Sequence, residues 1–170
     1  MKKLSKILPL VLILCFMVGC KQGKEVTDES SHMTDEERAS VAASAEQALA
    51  DYVEAMKQMN WNRMFEFLVD GDELVFAEDG TLKSGKNTLV GNLREKTAAI
   101  KKINSLEHTN KHVYVLSKDA AVISLEFDQS FTLVTDDIIR QRGSWIYVFH
   151  RINNEWKIVH TGGTRIPVTE

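Results

Sequence analysis

The chain holds two cysteines, Cys15 and Cys20, and none in the 150 residues that follow. For the body of the protein this excludes thiolate catalysis, cysteine-ligated zinc and disulfides, so a fold there must stand on its hydrophobic core. Basic charge is also scarce: 21 Lys and Arg stand against 24 Asp and Glu, a formal net charge of −3. Nucleic-acid binding needs a basic footprint that this composition does not supply. Internal repeats and low-complexity blocks are missing. The one long apolar run, from Ile7 to Met17, falls short of the about 20 residues that a membrane-spanning helix needs.

That run follows Lys2, Lys3 and Lys6, the layout of a secretory signal peptide. It ends in Val18-Gly19-Cys20, which resembles the lipobox of bacterial lipoproteins, where a small residue precedes a cysteine that becomes acylated. Cys15 is a poorer candidate because Leu14 precedes it. The resemblance implies a signal peptide over 1–19, lipid on Cys20 and attachment to a membrane of the bacterial cell envelope, on its periplasmic or cell-surface side. Losing the three lysines takes the net charge from −3 to −6. Residues 20–33 are polar and aperiodic and read as a lipidated cysteine on a flexible tether. Residues 34–170 suit one domain large enough for a real core.

Thr34 and Glu37 make a capping box for a long helix whose apolar face is Val41, Ala45, Ala48, Leu49, Tyr52, Val53 and Met56. Asn60 can end it and cap a short second helix carrying Trp61, Met64, Phe65 and Leu68. A brief strand at "ELVFA", a turn region at "EDGTLKSG" and a third helix from about Asn87 to Ile103 follow. From Lys111 the period becomes two. One hairpin turns at Lys118-Asp119, and another at Asn153-Asn154, where Asn tolerates the positive φ of a tight turn. Counting from the second turn without interruption sets Tyr147 opposite His160 and puts Trp145, Tyr147, Phe149, Trp156, Ile158 and His160 on one face. The same count groups His112, Tyr114, Leu116, Ile123, Leu125 and Phe127 in the first hairpin. The expected class is α+β: three N-terminal helices on a curved antiparallel sheet. The helices should cover the aromatic face. The other face, with Val122, Ile146, Val148 and Val159, suits burial by a second copy in a homodimer.

This order of elements, carried by residues 48–93 and the closing "WIYVFHRINNEWKIVHTGG", resembles the nuclear transport factor 2-like superfamily and, within it, SnoaL-like and ketosteroid-isomerase-like bacterial proteins. The resemblance covers about residues 38–165 and implies a cone-shaped half-barrel with a pocket between helices and sheet. It does not imply a reaction, because this fold hosts enzymes and plain binding domains alike. Aligned on the isomerase branch, the catalytic Tyr falls on Tyr52 but the general base falls on Phe76, which cannot take a proton. No second acid stands in "GSWIYVF". The pocket is expected to be lined by Tyr52, Phe76, Tyr114, Phe127, Trp145, Tyr147 and His160, with no cofactor and no metal.

His160 admits three readings: a general acid or base, a ligand contact, or a hydrogen-bonded framework residue. Tyr52 is either core or pocket wall. His108 and His112 have metal-ligand spacing only if helical, and they sit where a helix gives way to a strand. Arg140 and Arg142 pair with Glu126 and Asp128 or serve an anionic ligand. Asp70, Asp72, Glu73, Glu78 and Asp79 read as a solvated acidic region, and Gly162-Gly163 as the place where the last strand bends or ends. The function expected is a lipid-anchored domain that binds a small apolar or amphipathic molecule, or a partner protein, without chemistry. The alternative is an enzyme using His160 and Tyr52.

Overall fold

The computed structural model describes residues 33–169. The expected signal peptide, Cys20 and the tether as far as His32 lie outside the described residues. Helix α1 spans Asp35–Lys57, and both hydrogen bonds of its capping box are present. Its buried stripe of Val41, Ala45, Ala48, Leu49, Tyr52 and Ala55 follows the period of 3.6. Helix α2 is Trp61–Glu66, capped by the Asn60 side chain, which accepts from the Arg63 N–H. A hairpin of β1 (Val75–Glu78) and β2 (Thr81–Ser84) comes next, then α3, Lys86–Ala98. Four long strands follow: β3 (Ile100–Ser117), β4 (Ala120–Leu133), β5 (Ile138–Ile152) and β6 (Glu155–Pro167).

The six strands form one sheet in the order β2-β1-β6-β5-β4-β3. It is antiparallel except where β1 runs parallel to β6, so the sheet is mixed. The third helix is shorter than the sequence suggests. It stops at Ala98, and Ile100 and Ile103 open β3. Region 79–84 is likewise the turn and second arm of a hairpin. β3 uses eighteen residues and β4 fourteen, and four register shifts between them absorb the difference. Each extra residue bends and twists its strand, and four on one strand curl the sheet toward the helices. Its concave face holds Phe149, Ile158 and Ile123, all with 0 % exposure. α1 is docked there by a hydrogen bond from Trp156 Nε1 to Ser44 Oγ at 2.8 Å.

Both hairpin turns fall where the sequence places them, and Asn153 and Asn154 have φ of 52° and 65°. Register then departs from a simple count. On β6, Phe149 faces Ile158, but Val148 faces His160. Val159 is the extra residue, so every side chain beyond it changes face. On β3, Ser117 faces Ala120, but Val115 faces Ala121, with Leu116 the extra residue. Gly162 and Gly163 do not end β6, which continues to Pro167.

Candidate functional site

α1, α2, α3 and the concave face enclose a cavity of about 610 Å³. Buried side chains make its floor: Tyr52 from α1, Met64 from α2, Phe76 from β1, and Leu125 and Tyr147 from the sheet. Its rim includes Ile139, Pro167, Ala99 and Lys96, which are more exposed. The walls are mainly apolar. A smaller groove of about 320 Å³ lies between α1, α2 and the β5–β6 turn. Ion pairs between Arg63 and Glu66 and between Lys157 and Glu155 edge it.

Of the residues expected in the pocket, Tyr52, Phe76, Phe127, Trp145 and Tyr147 line the cavity. Tyr114 and His160 do not. The extra residue at Leu116 pairs Tyr114 with Val122 on the convex face, where it is 66 % exposed. The extra residue at Val159 pairs His160 with Val148 on that same face. Thr161 takes the inward place, opposite Tyr147, and its Oγ1 accepts a 2.6 Å hydrogen bond from Trp145 Nε1. The expected convergence of His160 and Tyr52 is therefore absent: they lie on opposite sides of the sheet.

The cavity's imidazole is His108. It faces Phe127 across β3–β4, and an extra residue at 110–111 sends His112 to the convex face, opposite Ser124. The two histidines thus diverge. Asn110, at φ 45°, is the one local sign of that irregularity. Burial, helped by Lys57 and Lys111, lowers the His108 pKa from its ordinary value of 6.5.

At the rim a chain of ion pairs joins three elements. Lys96 of α3 meets Glu78 of β1 at 2.6 Å, and Glu78 meets Arg165 of β6 at 2.8 Å. Arg165 also bonds Asp79 at 2.8 Å and lies 4.5 Å over the Trp145 ring. Burial pushes the Glu78 carboxyl up, but hydrogen bonds and charge from Lys96 and Arg165 outweigh it and hold it below its ordinary value. Glu78 is thus part of the cavity wall rather than a solvated loop; Asp79 borders the cavity but is exposed, as are Asp70, Asp72 and Glu73. Neither Arg165 nor Lys96 carries a recognisable motif, and only the register of β6 reveals them. Arg142 stands opposite Asp128 on the convex face, and Lys111 pairs with Glu46 at 2.7 Å.

Tyr52 and Tyr147 meet edge to face, with ring centroids 5.8 Å apart. Burial, partly offset by Arg165, pushes the Tyr52 phenol up to about 12. Burial and the neighbouring Tyr52 raise Tyr147 well above its ordinary value, again against Arg165. Both are neutral hydroxyls able to donate a hydrogen bond. They stand at the floor of the cavity, and His108 lies on its β3 wall.

These titrations predict an acid response. His108 has a folded pKa below its unfolded 6.5, so its contribution is present above that value and is lost as pH falls past it. Glu78, also depressed, contributes above its unfolded 4.5 and loses that contribution as pH falls through the folded value. Urea midpoints should fall from pH 7.5 to 5.5 and again toward pH 4. His108→Gln should abolish the first fall, and an unchanged first fall in that variant would contradict the assignment.

A model of the SnoaL-like domain family matches residues 45–168. Among solved structures, a nuclear transport factor 2-like superfamily protein from Salmonella enterica superposes with a TM-score of 0.66 at 15% identity, covering 78% of this chain and 94% of that one. A ketosteroid isomerase-like protein from Erwinia carotovora atroseptica gives a TM-score of 0.63 at 16% identity, over 74% of this chain and 95% of its own. A conserved protein from Planctomyces limnophilus gives 0.67 at 15% identity, over 77% and 100%. Among curated proteins none matches the chain. Identities this low establish the shared fold alone.

Proposed function

The chain belongs to the SnoaL-like domain family, and from that premise we propose that it is a ligand-binding domain of the bacterial cell envelope, tethered by lipid on Cys20, that holds a small apolar or amphipathic molecule without reacting it. The observation that carries this reading is the mainly apolar cavity of about 610 Å³ with two donor hydroxyls at its floor, within the range of roughly 300–1,000 Å³ typical of small-molecule sites. The uncharged dye 1-N-phenylnaphthylamine, which fluoresces in apolar surroundings, should bind the full chain one to one. Leu93→Trp, which fills the cavity from α3, should abolish binding. A dye signal that survives this substitution would place the molecule elsewhere.

The anchor rests on the lysines, apolar run and Gly19-Cys20 at the start of the chain. Cys20→Ser should release the protein from the membrane fraction; continued sedimentation with membranes would exclude lipid at that residue. A homodimer through the convex face is supported by exposed Tyr114 (66 %) and Ile146 (46 %) beside Val122 and Val148. Sedimentation at micromolar concentration should show two copies, and a monomer would remove this part of the reading.

A further inference from the structure

We infer that the cavity selects an uncharged ligand, an apolar body carrying an oxygen acceptor, and discriminates against anions and cations of the same size; this rests on the binding reading above. Every ionised group on its wall already has a partner. Lys96, Glu78, Arg165 and Asp79 form one continuous chain of ion pairs at 2.6, 2.8 and 2.8 Å, and their formal charges cancel. The neutral polar groups are largely engaged as well. Trp145 Nε1 donates to Thr161, Gln129 Nε2 donates to Gln141 at 3.0 Å, and Thr97 Oγ1 donates to the Arg94 carbonyl. Groups on the cavity-lining side chains without a hydrogen-bond partner among the described residues include the Tyr52 and Tyr147 hydroxyls, the Trp61 indole N–H and the His108 imidazole. Burial disfavours the charged forms of Tyr52, Tyr147 and His108.

A charged ligand entering this space would leave its hydration shell and find no unmatched counterion, or would have to break a pair that is already satisfied. An uncharged apolar molecule gives up little hydration, and its oxygen can accept from either phenol. Arg165 is held on both sides, by carboxylates and by the Trp145 ring, so it is unavailable as an anion clamp. Charge selection is thereby a property of the rim, and the apolar floor selects for shape.

The test is displacement of 1-N-phenylnaphthylamine from the full chain carrying Cys20→Ser by 1-decanol, decanoate and decylammonium. 1-Decanol should compete at least about tenfold more tightly than either ion. Glu78→Gln removes one negative charge and leaves the Lys96 charge unmatched, so it should raise decanoate affinity relative to 1-decanol by about tenfold. A merely structural role for Glu78 would weaken all three alike. Decanoate or decylammonium displacing the dye as well as 1-decanol would overturn the inference. So would failure of all three against bound dye, with the binding reading left standing. Failure of the dye itself to bind would overturn both.

Discussion

Gly162→Ala should cost the domain about 3 kcal/mol or more, at the upper end of what overpacking does, and should weaken ligand binding with it. β6 lies between β1 and β5, and Gly162 faces Ala77 across the parallel pairing. A Cβ at Gly162 would overlap the Ala77 carbonyl oxygen, with the carbonyl carbon 3.1 Å away. These are backbone atoms, so only separation of the strands can relieve the clash. That separation would also pull Glu78 and Asp79 off Arg165. The same exchange at Gly91 has the opposite sign. Gly91 lies within α3 and a Cβ there meets nothing within 4 Å, so Gly91→Ala should stabilise by about 0.5–1 kcal/mol. Chemical denaturation of the two variants side by side checks both. Equal effects would mean that β1 and β6 do not approach as described.

Phe149→Ala should destabilise by about 3–5 kcal/mol. Phe149 has no exposure and sits at the centre of the concave face, with Tyr147 beside it at 6.2 Å between centroids. Removing the ring opens a void within the core cluster. A domain of this size has only about 5–15 kcal/mol to lose, so the variant should give up a large share of its stability and unfold at a clearly lower temperature. Tyr114→Ala, on the convex face, should change monomer stability by well under half as much. Thermal unfolding of both at a concentration that keeps them monomeric separates the faces. Comparable losses would contradict the register of β3.

The α-helical half of the fold is legible in the sequence because its signals are local. Thr34 and Glu37 start α1, Asn60 caps α2, and the apolar stripe names the buried face. Both hairpin turns are legible for the same reason. The cavity is only partly so. Alternation in β5 and β6 is unbroken through Val159, and nothing in "KIVHTG" marks the extra residue that turns His160 outward and Thr161 inward. Leu116 does the same for Tyr114. These bulges answer a tertiary demand, the curvature needed to wrap the sheet around three helices. The long β3 is hidden because its first residues continue the apolar spacing of α3, which also hides His108. Glu78, Lys96 and Arg165 come from three distant segments and meet only once β1 has paired with β6. Closure of the cone therefore decides both which polar groups face the ligand and which of them are already matched.

The central claim is that the cavity is occupied by a small uncharged molecule. Its most direct test is native mass spectrometry of the full chain, purified gently from its own host. The account predicts one adduct per chain, an uncharged apolar molecule of a mass suited to about 610 Å³, absent from Leu93→Trp. A clean, ligand-free mass from the native protein, identical in occupancy to that of Leu93→Trp, would contradict it.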